Sequence, residues 1–152
     1  MNFPFFNHAR FSDTELFNER TFYGEFLKDL SRAKEKIIIE SPFITINRIE
    51  IFTPIFQGLI SKGIKIAIIT RDPIEHDESI KYHATDAILT CKELGAQITL
   101  LKGKHHRKLA IIDNNILWEG SLNILSQSHS KEIMRRIYNP YEVSKMKSFL
   151  GY

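Results

Sequence analysis

Short segments rich in β-branched residues, separated by helical patterns, are the feature that most constrains how this chain can fold. Lys36–Glu40, 64–70 and Gln97–Leu101 each predict a strand. Helices are predicted between them, over 48–62 and about 85–94, and each is followed by a glycine that can end it. Because strands and helices alternate at this spacing, the central part of the chain predicts parallel strands joined by crossover helices.

Further elements are predicted on both sides of this unit. Phenylalanines and leucines at three- and four-residue spacings predict a helix from residue 21 to about residue 34. Residues 109–112 and 116–119, joined by a polar Asp-Asn-Asn turn, predict an antiparallel hairpin. Residues 132–138 alternate as a strand, and Pro140–Leu150 predicts a last helix that begins with proline.

Length and composition limit the class of protein. The 152 residues predict one domain, and no repeat or linker marks an internal boundary. With 43% apolar and 26% charged residues, the composition is typical of soluble globular proteins and excludes disordered and fibrous classes. Apolar runs are far shorter than the ~18 residues of a membrane span, and the start of the chain lacks a secretory signal. We therefore expect no membrane partner. The single cysteine, Cys91, fits a reducing compartment, so we expect a cytoplasmic protein.

The beginning of the chain is rich in phenylalanine. Seven of the eleven phenylalanines lie in the first 26 residues: Phe3, Phe5, Phe6, Phe11, Phe17, Phe22 and Phe26. We interpret residues 1–20 as a Phe-rich N-terminal strap and residues 21–152 as the folded domain. The strap can pack on the core or, since aromatic residues are enriched at interface cores, face a partner or a second copy.

The distribution of charged residues along the chain is more informative than the net charge. A net charge of +3, with a pI of about 9.0, would not by itself indicate a nucleic-acid partner. Between residues 102 and 108, however, four cations and two histidines occur without an acid. Such a run predicts either a solvated face or a segment that attracts anions.

The same segment begins a pattern of six residues with the spacing H-x-K-x4-D-x6-G-S-x-N. The six positions are His106, Lys108, Asp113, Gly120, Ser121 and Asn123. If each position has roughly a one-in-twenty chance of holding the required residue type, the probability of a chance match in a chain of this length is on the order of one in a hundred thousand or lower. The pattern resembles the signature of the phospholipase D superfamily, and the stretch 116–137 is most similar to its nuclease-type members.

That resemblance implies an α/β fold of the phospholipase D type, with a mixed, mainly parallel sheet flanked by helices on both faces. It implies metal-independent phosphodiester hydrolysis through a covalent phosphohistidine, and we expect an endonuclease acting on DNA, with RNA as the second candidate. It also implies supporting roles for Asp113 and Gly120. In nuclease-type relatives an acid on the strand after G-S-x-N accepts a hydrogen bond from the histidine, and Glu132 is the candidate here.

The chemistry of the central pair can be argued from its spacing. Side chains alternate along an extended chain, so His106 and Lys108 project together while Arg107 faces away. The imidazole can attack phosphorus, and the ammonium stabilises charge on the phosphoryl oxygens. Asn123 offers a neutral amide donor. Ser121 can cap a short helix beginning at the next residue, whose free amides would favour an anion.

Asp113 lies seven residues beyond His106, on the opposite face of a regular strand. We therefore place it outside the reacting centre. We interpret it as a hairpin-turn residue that bonds the backbone of Asn114 or Asn115.

Cations outside the reacting pair are candidates for contacting nucleic acid. We assign non-specific attraction for backbone phosphates to Lys102, Lys104 and Arg107. Arg136 shares a face with Glu132 by strand parity and either contacts phosphate or is solvated.

We expect neither a metal nor a cofactor. Adjacent histidines, such as His105 and His106, point apart on a strand, and zinc-ligand spacings are absent from the sequence. No glycine pattern matches a nucleotide-binding loop.

A further expectation is a homodimer. The departing oxygen needs a proton that His106 cannot supply while it is bonded to phosphorus. The chain contains one G-S-x-N and no second histidine with a lysine two positions on. Single-motif nuclease relatives complete the site by pairing two identical chains, so we expect one composite site across a twofold axis. The Phe-rich N-terminus and the segment after Gly120 are the candidate interfaces.

Two alternatives stay open. A phospholipase or phosphatidyl transferase would use the same chemistry, although no amphipathic membrane helix is evident. A nucleic-acid-binding module of a helicase or restriction assembly would keep the motif and depend on its partners for activity.

Overall fold

The computed structural model describes residues 13–126 and 129–152. The described strands are β1 (Asp13–Asn18), β2 (Lys36–Glu40), β3 (Lys65–Arg71), β4 (Gln97–Leu101), β5 (Leu109–Ile112), β6 (Ile116–Gly120) and β7 (Ile133–Tyr138). The described α-helices are α1 (Phe22–Ser31), α2 (Ile46–Ser61), α3 (Glu78–Leu94) and α4 (Pro140–Leu150). None of these helices is long and apolar enough to cross a membrane.

The strands form one sheet in the order β1-β7-β6-β5-β2-β3-β4. β2, β3 and β4 are parallel, as the alternation of strands and helices predicted. The mixed sheet is confirmed, but the prediction that it is mainly parallel was wrong, because two of the six pairings between described strands are parallel. A strand can run parallel to the strand before it in the chain only if the connection between them has about a dozen or more residues. The tight β5–β6 turn and the short β4–β5 loop are too short for this.

Helices cover both faces of the sheet, as expected. α1, α2 and α3 pack with the larger apolar core, which includes Trp118, and α4 packs on the other face through Val143. β2 contributes to both cores, since Ile37 and Ile39 face the first and Ile38 faces the second. Burial on both faces explains why β2 is a continuous apolar run.

The segment interpreted as a strap contains β1, a strand that the sequence pattern did not predict. β1 is an edge strand antiparallel to β7. Phe17 of β1 packs on Trp118 with ring centroids 5.0 Å apart, and Phe22 and Phe26 are fully buried. Packing on the core is therefore confirmed for these three phenylalanines, and the domain boundary at residue 20 stays a prediction. Phe3, Phe5, Phe6 and Phe11 lie outside the described residues.

α3 begins at Glu78 rather than at about residue 85. Its first turns are largely exposed, so no apolar spacing marks them in the sequence. Its end agrees with the prediction, because Gly95 follows the helix with a φ of +102°, a conformation that favours glycine.

Candidate active site

His106 and Lys108 lie in the loop 102–108, which connects β4 to β5 beside the ends of the parallel strands. Lys108 Nζ lies 2.9 Å from His106 Nδ1 and donates a hydrogen bond to the His106 carbonyl oxygen at 2.8 Å. The two side chains therefore lie together as their spacing predicted, although the loop is not a strand. His106 is exposed and Lys108 is partly buried, so a substrate can reach the imidazole.

Positive charge around the imidazole keeps it neutral. The adjacent Lys108 ammonium lowers the pKa of His106 below its ordinary value of 6.5, with smaller contributions from burial and Arg71. Burial lowers the pKa of Lys108, and the charge of Glu132 opposes this shift. At neutral pH an uncharged imidazole therefore lies beside an ammonium group, which are the protonation states that attack on phosphorus needs.

Arg71, the last residue of β3, is a further cation of the site that the sequence pattern did not indicate. Its Nε and Nη2 donate hydrogen bonds to the His105 carbonyl oxygen at 3.3 and 2.8 Å. Its guanidinium carbon lies 5.2 Å from the centroid of the Phe43 ring. Arg71 is 34 residues from His105 in sequence, so no local pattern could have connected them.

The Gly-Ser pair of the motif lies where β6 ends against β7. Gly120 has no room for a side chain, because an added Cβ would lie 2.1 Å from the Ile133 carbonyl oxygen. Ser121 Oγ accepts a hydrogen bond from the Ile133 amide at 3.0 Å and donates one to the Glu132 carboxylate. Gly120 thus lets the two strands approach, and Ser121 connects β6 to Glu132.

The residues after Ser121 do not form the predicted helix. Residues 122–126 are not helical, and the Ser126 amide donates to the Asn123 carbonyl oxygen at 3.1 Å, so the assignment of Ser121 as the cap of a helix was wrong. A tertiary contact shapes this segment, since Leu125 forms a parallel bridge with Ile44 in the loop after β2. The side-chain carbonyl oxygen of Asn123 is buried and has no hydrogen-bond partner in the described part of the chain.

Glu132 lies just before β7 and accepts hydrogen bonds from hydroxyl groups. Ser121 and Ser130 both donate to its carboxylate. Its negative charge opposes the lowering of the pKa of Lys108 by burial, so it belongs to the electrostatic environment of the reacting pair. A hydrogen bond from His106 to Glu132 stays a prediction.

Asp113 lies at the end of β5 remote from the His–Lys pair. Its carboxylate accepts hydrogen bonds from the backbone amides of residues 34–36 at 2.8 to 3.3 Å. The partners found are thus 77 to 79 residues away, rather than Asn114 or Asn115 as predicted. These bonds tie the β5–β6 turn to the start of β2, which is a supporting role.

The structure corrects the assignment of Arg136 as a phosphate-binding or solvated residue. Arg136 Nε and Nη2 donate to the Asp29 carboxylate at 2.7 and 2.9 Å. Asp29 is 2% exposed, and Trp118 Nε1 donates to it at 2.9 Å. Arg136 therefore neutralises a buried carboxylate, because its position in β7 faces the larger core.

The adjacent Arg135 faces the site, although no sequence pattern singled it out. Consecutive side chains of a strand point to opposite faces. Arg135 lines an open cavity of about 470 Å³ that is also lined by His106 and Lys108. Leu16 and Ile133, on the same wall, are 67% and 64% exposed. The cavity therefore joins the reacting pair to a further cation and to an exposed apolar surface.

The cations of the loop differ in their surroundings. Lys102 and Lys104 are exposed. The Arg107 side chain is 48% exposed, but its Nε donates to the buried Glu40 carboxylate at 2.7 Å. Across residues 13–126 and 129–152, no three metal-ligating side chains form a cluster.

Fold and site together define the class of protein: an α/β domain that carries a histidine–lysine pair suited to phosphodiesters at one edge of a mixed sheet. The family model described as "Cardiolipin synthase, PLD-like domain" matches residues 26–150. The chain therefore belongs to this PLD-like family of the phospholipase D superfamily. No curated protein sequence matches the chain.

Solved structures agree with the family. NucT from Helicobacter pylori has a TM-score of 0.74 and 23% identity, covering 91% of this chain and 93% of that one. Nuc from Salmonella typhimurium, a phospholipase D family member, has a TM-score of 0.73 and 14% identity, covering 91% of each chain. Phosphatidylserine synthase from Haemophilus influenzae has a TM-score of 0.68 and 14% identity, covering 89% of this chain and 37% of that one. The fold is confirmed, and the family supports phosphodiester chemistry.

Proposed function

We propose that the protein is a metal-independent phosphodiesterase that hydrolyses DNA as an endonuclease. The observation that carries the proposal is the neutral His106 ring lying 2.9 Å from Lys108 Nζ at an open cavity. A neutral imidazole can attack phosphorus, and an adjacent ammonium stabilises the charge that develops on the phosphoryl oxygens.

The proposed reaction has two steps. A His106 ring nitrogen bonds to phosphorus as the bond to the leaving oxygen breaks, and that oxygen takes a proton from a general acid. Water then attacks phosphorus, gives its proton to a base and displaces His106. We assign transition-state stabilisation to Lys108 and Asn123 with help from Ser121, and orientation of the imidazole to Glu132.

Cations of the loop 102–108 and of the cavity wall support DNA as the substrate, with RNA as the second candidate. Lys102, Lys104 and Arg107 are exposed or half-exposed in the loop that carries the reacting pair, and Arg135, which lines the cavity, replaces Arg136 as the fourth candidate. Such cations attract a polyanion in a salt-dependent way. The structures of NucT and Nuc, nuclease-type members, match over more than nine-tenths of both chains, which also favours a nuclease.

We propose that two copies form one composite site, in which the first His106 attacks as the neutral ring and the second His106, in its protonated form, supplies the proton. The exposed apolar side chains beside the cavity support this proposal, because a second copy would cover them. Leu16, Ile133 and Phe149 are 67%, 64% and 83% exposed, and all three line the cavity that His106 lines. Aromatic and aliphatic residues of this kind form the cores of homodimer interfaces.

Two other functions remain as alternatives, and the experiment below distinguishes them from DNA hydrolysis. The same apolar wall would suit the acyl chains of a phospholipid, which favours a phosphatidyl transferase or phospholipase as the second candidate. The exposed cations would also suit a nucleic-acid-binding module of a helicase or restriction assembly.

We place the protein in the cytoplasm, whichever of these functions it has, since Cys91 is a buried free thiol of the kind found in reducing compartments.

The test is incubation of purified protein with single- and double-stranded DNA, RNA and phosphatidylcholine vesicles, each with and without excess EDTA. We expect DNA cleavage that survives EDTA and a covalent protein–DNA adduct on denaturing gels. His106→Ala removes both, while the control Tyr141→Ala, at an exposed position of α4, keeps both. Cleavage lost in EDTA and restored by magnesium would overturn the mechanism. Lipid turnover alone, or DNA binding without cleavage, would favour the alternatives.

A further inference from the structure

A buried carboxylate lies beneath the loop that carries His106 and Lys108. Glu40, the last residue of β2, is fully buried. Arg107 Nε donates to Glu40 Oε1 at 2.7 Å, and His105 Nε2 lies 3.2 Å from the same oxygen. Residues 105 and 107 therefore contact Glu40, while residues 106 and 108 contact each other. Alternate residues of the loop therefore face Glu40 and form the reacting pair, and Arg107 is the one that donates a hydrogen bond to Glu40.

The other oxygen of Glu40 accepts a hydrogen bond from the hydroxyl of Tyr152, which follows α4. Burial and the contact with Glu40 raise the pKa of Tyr152, so the phenol stays a proton donor over the working range of an enzyme. Both carboxylate oxygens of Glu40 are thus engaged. The contact connects the segment after α4 to the end of β2, 112 residues away in sequence.

Glu40 has one charged partner in the described part of the chain, and that partner is Arg107. Burial lowers the pKa of His105, against the opposing effect of Glu40, so His105 is neutral at neutral pH. Among the described residues, Arg107 is then the cation that neutralises Glu40 directly. A buried carboxylate is tolerated when it is paired and hydrogen-bonded, so Glu40 holds Arg107 and the backbone on both sides of it in place.

We propose that Glu40 and Tyr152 are positioning residues of this active site: Tyr152 holds the Glu40 carboxylate, and Glu40 anchors Arg107 so that the neighbouring His106 is kept against Lys108. The effect of these residues on kcat rests on the proposed function, whereas their effect on the position of His106 beside Lys108 does not. Glu40 and Tyr152 reach the reacting atoms only through the loop.

Three variants test the kinetic consequence. Glu40→Gln removes the charge and keeps the shape, and Tyr152→Phe removes one hydroxyl. Tyr141→Phe is the matched control, because Tyr141 lies in α4 and is 71% exposed. We expect Glu40→Gln to lower kcat for DNA cleavage by about 10- to 100-fold with little change in KM, since small displacements of reacting groups have effects of this size. Tyr152→Phe should lower kcat less, and Tyr141→Phe should not lower it.

A double variant tests whether Tyr152 acts through Glu40. If it does, Tyr152→Phe adds no further loss of kcat in the Glu40→Gln background. Losses that multiply in the double variant would show that Tyr152 acts independently of Glu40, and would overturn that part of the proposal.

An NMR titration of the His106 ring gives a readout that needs no activity. Lys108 lowers the pKa of His106 in the native arrangement, so a loosened loop lets that pKa rise towards 6.5. Loss of the negative charge of Glu40 would by itself lower the pKa of His106, so the direction separates repositioning from simple electrostatics. We expect a rise in Glu40→Gln and no change in Tyr141→Phe.

The two readouts separate the positioning proposal from the proposed function. A wild-type chain that cleaves no phosphodiester, together with a raised His106 pKa in Glu40→Gln, would overturn the function and support the positioning role. Variants that melt at lower temperature, yet keep both kcat per folded molecule and the pKa of His106, would overturn the positioning role.

Discussion

Arg135 and Arg136 are adjacent in β7, yet replacing each by alanine should affect a different property of the protein. Arg136 makes two hydrogen bonds to Asp29 at 2.7 and 2.9 Å, and the two side chains are 17% and 2% exposed. Arg135 lies on the other face and lines the cavity beside His106. We therefore expect Arg136→Ala to destabilise the fold and Arg135→Ala to weaken DNA binding.

The size of the stability effect follows from the burial of Asp29. Removing one partner of a buried ion pair costs about 3–5 kcal/mol, because the remaining charge stays buried. Trp118 Nε1 still donates to Asp29 in the variant, so we expect the lower end, about 3 kcal/mol. At ~2–4 °C per kcal/mol for a domain of this size, the Tm should fall by roughly 6–12 °C.

Arg135→Ala is the matched control for stability and the test for binding. An exposed substitution of this kind should change the free energy of unfolding by no more than about 0.5 kcal/mol. If Arg135 contacts one phosphate, the slope of log K against log salt concentration should become shallower by about 0.9. Thermal denaturation and fluorescence anisotropy across a salt series measure both quantities. An Arg136→Ala variant with an unchanged Tm and a shallower salt slope would refute the reasoning.

Three further predictions concern the reaction. His106→Ala should abolish turnover while leaving DNA binding nearly intact, whereas Lys108→Ala should weaken binding and lower kcat by about 100-fold or more; near-normal activity of His106→Ala in a cleavage assay would show that the nucleophile is misassigned. The pH–rate profile should be bell-shaped: cleavage falls at low pH as the attacking His106 ring, whose pKa Lys108 holds below 6.5, becomes protonated, and at high pH as the second His106 loses the proton that it donates; an acidic limb centred above 6.5 would contradict this. Light scattering should give about twice the chain mass of 17.7 kDa, and heterodimers of wild-type and His106→Ala chains should lose most turnover; a fully active monomer would direct the search for the general acid to His83 or Glu132.

Features that depend on neighbours in sequence were predictable. Lys36–Glu40, Gln97–Leu101 and Pro140–Leu150 have the predicted bounds, because apolar runs, glycine stops and an initial proline act locally. The side-by-side placement of His106 and Lys108 also follows from a spacing of two residues, even in a loop. The motif is therefore sufficient to indicate which histidine and which lysine lie together.

The predictions that failed depend on residues far apart in sequence. Strand parity separates the side chains of Arg135 and Arg136, but which face of β7 meets the core depends on its register with β1 and β6. The partners of Asp113 at residues 34–36, and the meeting of Glu40 with Arg107 and Tyr152, likewise require the sheet order to be known. Local sequence determines the conformation of each segment and the chemistry that it carries. Strand order and register decide which buried charge each side chain meets, because they bring together residues that no spacing in the chain connects.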